Sequence, residues 1–251
     1  MRLLPPTVRV LLGKELRQVR RSRGAMLSAT VLPTFIMLVV PLAQLLGVRN
    51  ARDQLQLPAS GLLPPGMAGA ATDPTDFFVQ AMLPLFVALG ALMVPSVAAT
   101  YTVIAEREKR SLELLMALPV RVSDILAAKL VAMLALALAV VTPLYAADAV
   151  ALALFGLASP GYLALLLMVL LAALFCSVGV ALLLALLARD FRTANNLSGA
   201  LVGPLILGMA GVLFGIAGPV RLFILAGLLL AGGGLAFLVG LRWLTFERYL
   251  A

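Results

Sequence analysis

Histidine is absent from this chain, which removes the commonest general base and the commonest metal ligand. The one cysteine, Cys176, stands in the middle of an apolar run, so it cannot close an internal disulfide and says nothing about redox compartment. Charge is scarce as well. Only 12% of the 251 residues are charged, where an average soluble domain carries about 25%. So few charges cannot cover a soluble globule of this size, and lipid must cover the rest. There are three lysines, Lys14, Lys109 and Lys129, and none lies in a G-x-x-x-x-G-K-[ST] setting. The chain therefore holds no P-loop for ATP. Metal-ligand spacings and nucleophile–base arrangements are also missing. The expectation is a non-enzymatic chain with no catalytic, cofactor-binding or metal-binding residues.

Apolar residues make up 63% of the sequence, and the mean hydropathy is +1.11. The length allows one membrane domain, over residues 1–251, and one sizeable outer loop. Crossing the hydrocarbon takes about 20 apolar residues at 1.5 Å each. Runs of that order fall at about 26–47, 78–104, 125–155, 162–187, 197–217 and 222–243. The fold class read from them is an all-α polytopic membrane protein with about six transmembrane helices. The third run overshoots a bilayer, so it tilts or ends in a short helix outside. The basic stretch from Arg2 to Arg23 is long, and the apolar run after it is of spanning length. That reads as a retained N-terminus rather than a cleaved signal.

The formal net charge is +8, and it is unevenly placed. Sixteen of the nineteen Lys and Arg residues fall before the first run, between runs two and three, between four and five, or after six, with Lys129 and Arg242 counted at the cytoplasmic ends of runs three and six. Only Arg49, Arg52 and Arg221 fall on the other side. The positive-inside rule then puts both termini in the cytoplasm, with residues 1–25, 105–124, 188–196 and 244–251. The expected location is the inner (cytoplasmic) cell membrane. Basic residues beside apolar spans point to anionic lipid headgroups rather than nucleic acid. Phe77 and Phe78 mark the outer end of span two and Tyr101 its inner end; Trp243, Phe246 and Tyr249 mark the inner end of span six.

Residues 8–23 read as an amphipathic surface helix. Val8, Leu12, Leu16 and Val19 share one face, and Lys14, Arg17 and Arg21 lie opposite, with Arg20 adding to the basic side. Residues 48–76 form a loop broken by Pro58, Gly61, Pro64, Pro65 and Gly66. It ends at Asp73-Pro74, an N-cap followed by proline at the first helical position. Prolines interrupt the spans at Pro33, Pro41, Pro84, Pro95, Pro143 and Pro204. Gly199, Gly203 and Gly208 give span five a face that permits close helix approach, to a second copy or within one subunit. Asp148 is the one clearly ionisable residue within a span, and two readings stand: a functional intramembrane carboxylate, or an interfacial one meeting water.

Between spans two and three the sequence is densest in information. Glu106, Arg107, Glu108, Lys109 and Arg110 form a charged cluster at the cytoplasmic surface. A short helix follows, capped by Ser111, with Leu112, Leu115 and Met116 on one face, Glu113 beside them, and Pro119 stopping it. Ser123 or Asp124 then caps span three. Water gives the apolar face of such a helix nothing to bury against, whereas a grooved soluble partner does.

Glu106-Arg107-Glu108, Ser111-Leu112-Glu113 and Ala117-Leu118-Pro119-Val120 together resemble the coupling segment of the ABC type-2 exporter permeases. Lys14-Glu15-Leu16 with Arg20 and Arg21 is similar to their N-terminal connecting helix, and the six-span plan resembles theirs over the whole chain. Arg110 stands where many members have Gly, and only Ala217 to Arg221 separate the last two runs, where members often carry re-entrant outer helices. The resemblance implies a type V ABC exporter-like fold and a dimer of permeases, identical or related. It also implies a cytoplasmic ATPase subunit that holds ATP and Mg and is gripped by the coupling helix. Two other readings stay open: a secondary transporter or channel, and a membrane component of a cofactor or metal maturation machine. The first needs paired intramembrane charges or a discontinuous helix pair; the second needs convergent polar groups at one depth.

Overall fold

The computed structural model describes residues 13, 14, 17, 23–50, 74–99, 122–188 and 190–243. Among them the chain is helical with no strand. The first span joins α1 (Arg23–Thr34), a π-helical turn π1 (Phe35–Val39) and α2 (Val40–Asn50). The second joins α3 (Pro74–Phe77), π2 (Phe78–Met82) and α4 (Leu83–Ala99). The remaining four are single helices: α5 (Val122–Leu154), α6 (Pro160–Leu187), α7 (Phe191–Gly215) and α8 (Val220–Trp243). Six stretches are long and apolar enough to cross a membrane: Ala29–Gly47, Thr75–Val97, Ala127–Leu154, Pro160–Leu184, Arg192–Gly215 and Val220–Gly240. The long third run is one uninterrupted helix. Four residues, 216–219, join α7 to α8, which leaves no room for a re-entrant helix there.

Both π turns have the same local cause. The Val40 N–H bonds the Phe35 carbonyl and the Leu83 N–H bonds the Phe78 carbonyl, each five residues back. Pro41 and Pro84 follow directly and supply no N–H. The helix widens by one residue where the regular ladder cannot be continued, the usual form of a π-bulge.

Lipid tails give helices no hydrophobic reason to associate, so cohesion rests on close packing. The tightest seam lies between α6 and α8. A Cβ built at Gly233 stands 2.8 Å from the Cys176 Cα and 3.0 Å from its backbone N. One built at Gly179 stands 2.9 Å from the Gly233 carbonyl. Backbone meets backbone here, with Phe175 and Phe237 stacked alongside at 5.2 Å between centroids. Spans two and four form the centre, with 61% of each buried, whereas only 11% of span five is.

Ser159 caps α6 by accepting from the Tyr162 N–H at 3.2 Å, with Pro160 at the first helical position. Asp190 caps α7 by accepting from the Thr193 N–H at 2.7 Å, while the Thr193 hydroxyl donates to its other oxygen at 3.1 Å. These bonds, the backbone one first, hold the Asp190 carboxyl below its ordinary range. A folded pKa below the unfolded one means the cap contributes fully above about pH 4 and fades as pH falls through the folded value. Asp190→Ala is expected to fray the start of α7 at neutral pH and to abolish that acid-dependent step. Amide exchange at Thr193 against pH measures both, and equal protection in the two proteins at pH 7 contradicts the cap.

Candidate functional site

Residues at three span ends converge on a cleft of about 380 Å³. Leu32 comes from α1, Leu92, Met93 and Ser96 from α4, and Ser198 and Val202 from α7. Leu32 is 45% exposed and Leu92 1%, so the cleft runs from the bundle surface to buried side chains. Pro95 breaks the ladder of α4 at this level. The Leu92 carbonyl accepts from the Ser96 hydroxyl at 3.1 Å and from the buried Ser177 hydroxyl of α6 at 2.5 Å. These two bonds tie the floor of the cleft to the central helix. Gly208 packs on Leu228 of α8, within the chain, while a Cβ at Gly199 or Gly203 meets nothing within 4 Å.

At the opposite end of the bundle, with the 155–159 and 216–219 turns, lies a polar cluster. Arg221 is 3% exposed. Its guanidinium donates to the Leu213 carbonyl at 3.4 Å and to the Gln80 side-chain oxygen. Tyr162 donates its hydroxyl to the Val79 carbonyl, and Tyr145 donates to the Leu163 carbonyl at 2.7 Å. Phe77 stacks on Phe214 at 6.1 Å between centroids. Asp148, one turn from Leu144 and one from Leu152 on the same buried face of α5, is 2% exposed, and its Oδ2 has no hydrogen-bond partner among the described residues.

Two cations that charge counting assigns to connecting segments are thus inside the bundle. Arg221 is one. Lys129 is the other, at 1% exposed on the α5 face that also carries Met133. A count of basic residues reads chain position and is blind to the turn of helix that points a long side chain inward. Lys14 and Arg17 are helical and exposed. Arg20, Arg21 and the coupling residues Glu106, Arg107, Glu108, Ser111, Leu112, Glu113, Leu115, Met116 and Pro119 lie outside the described residues, as do loop residues 51–73. Gln80, Tyr162 and Ser177 carried no sequence signal, because each has its partner on another span: Tyr162 and Ser177 donate to backbone carbonyls, and the Gln80 side-chain oxygen accepts from Arg221. The nearest hint was proline, which marks where carbonyls are left without a donor.

Six apolar helices around a small-residue seam define a multi-pass helical membrane protein. The chain matches the model of the ABC-2 family transporter proteins over residues 9–229; it belongs to that family. No curated protein and no solved structure is significantly similar to it.

Proposed function

We propose that this chain is the membrane-spanning permease subunit of an ABC exporter in the cytoplasmic membrane. It works as a dimer and draws on ATP and Mg held by a separate cytoplasmic ATPase subunit. The family match over residues 9–229 carries this reading. The sparsely covered fifth span supports a second permease subunit, since Gly199 and Gly203 offer a close approach that no described residue of the same chain uses. Residues 106–119 are the segment that grips the ATPase. The cleft is lined by apolar side chains and two serine hydroxyls. That lining suits an apolar or amphiphilic cargo entering from the bilayer and offers no counter-charge to an ion.

The test is to co-express the chain with the ATPase encoded nearest to it and purify by a tag on the permease. The expected outcome is stoichiometric co-elution, two permease copies in native mass measurements, and ATP hydrolysis that vanadate stops. A complex that never forms with any encoded ABC ATPase overturns the reading.

A further inference from the structure

The cluster at the turn-bearing end joins four spans through groups that the folding of single helices does not require. In π2 the Leu83 N–H is already given to the Phe78 carbonyl, and Pro84 has none to give. The Val79 carbonyl therefore has no donor in its own helix, and an unsatisfied carbonyl in lipid costs several kcal/mol. Tyr162 of α6 supplies that donor. One residue on, Gln80 turns its side-chain oxygen to Arg221.

Arg221 is oddly placed for a residue that only has to be tolerated. It sits in the first turn of α8, the positive end of that helix dipole, where a cation is unfavourable. It is nevertheless buried, beside Leu213 in the last turn of α7, where free carbonyls and the negative dipole end favour it. The preceding turn passes through Gly218 at φ +81°, a left-handed conformation natural to glycine, and this delivers Arg221 to that position. One guanidinium thus clamps spans two, five and six, and one phenol clamps spans two and four.

The Ser96 cleft lies at the other end of the same second span. Sixteen residues separate Gln80 from Ser96, about 24 Å along a helix. We infer that Gln80, Tyr162 and Arg221 are a latch that seals the end of the transport path farthest from the cleft, with the π2 turn as the part that gives way. The inference rests on the permease reading for the existence of a path. In the sealed state all four spans are held. Release of Tyr162 frees the Val79 carbonyl, and π2 then shifts register, turning Phe77 away from Phe214. Each contact is one hydrogen bond or one ring pair, weak enough for a transport cycle to break and make.

The test places a reporter in the cleft. Met93→Cys is made in a Cys176→Ala chain, reconstituted in vesicles, and labelled with a membrane-impermeant maleimide from the latch side. Tyr162→Phe and Arg221→Met are expected to raise the labelling rate about tenfold, the effect of losing one buried hydrogen bond on a closed–open equilibrium. Adding Gln80→Leu to Arg221→Met is expected to change little further, because both remove the same contact. Unchanged labelling in folded Tyr162→Phe and Gln80→Leu chains overturns the latch, even where Arg221→Met fails to fold. Labelling needs neither ATPase nor cargo. A failed latch therefore leaves the permease reading standing, and a missing ATPase leaves the labelling result standing.

Discussion

Gly233→Val is expected to prevent assembly of the bundle, while Gly234→Ala, one position on, leaves it intact. At Gly233 the new carbon meets the Cys176 backbone at 2.8 Å, and Phe175 Cδ1 stands at 2.8 Å on the same side. A flexible side chain can swing away from such a contact; a helix backbone cannot. The two helices must separate, and the packing that replaces the hydrophobic effect inside a bilayer is lost along the whole seam. Overpacking a core commonly costs about 1–3 kcal/mol, and a backbone-to-backbone clash belongs at or above the top of that range. At Gly234 an added carbon meets nothing within 4 Å, so alanine brings only its helix preference, a gain of up to about 1 kcal/mol. Thermal unfolding in detergent, followed by size-exclusion profile, separates the two. A Gly233→Val protein that melts at the wild-type temperature contradicts the seam.

The second large effect concerns the proposed ATPase grip. Leu112, Leu115 and Met116 fall on one face of a short helix by spacing alone, and Leu115 is its centre. Truncating a central interface anchor commonly costs about 2 kcal/mol or more, roughly 30-fold in affinity, and a carboxylate there adds the cost of burying a charge. Leu115→Asp is expected to remove the ATPase from the purified complex and stop ATP-driven transport, while the six spans still insert and melt as in wild type. Leu115→Met, which keeps apolar volume, is expected to retain both. Co-elution and transport at wild-type levels for Leu115→Asp contradict the assignment.

The six spans were legible because each is a continuous apolar run, and length in a bilayer is a one-dimensional question. Helix starts were less legible: α6 begins at Pro160 behind the Ser159 cap and α7 at Phe191 behind the Asp190 cap, each ahead of the apolar run that marks its span. Prolines at 41 and 84 were visible as interruptions, but their outcome was not. Whether a proline kinks a helix or widens it into a π turn depends on which neighbour satisfies the freed carbonyl, and Tyr162 is 83 residues from Val79. Arg221 misled for a related reason. It follows a turn and looks like a connecting-loop cation, yet its partners, Leu213 and Gln80, lie on two other spans. The glycine seam was hidden among 21 glycines, and only the facing helix distinguishes Gly233 from Gly234. The family resemblance rested on residues 106–120, on Lys14-Glu15-Leu16 with Arg20 and Arg21, and on the six-span plan, and the family match over 9–229 spans both of these segments and most of the chain.

The same seam gives the protein a clock of its own. Cys176 is fully buried, wedged where the two helices touch, and it is the sole thiol in the chain. A fluorogenic thiol dye can reach it only when α6 and α8 part, so the wild-type molecule is dark to such a dye while folded and lights up as it opens. The rate of that signal times the slowest breathing of the bundle, without a single residue having been changed.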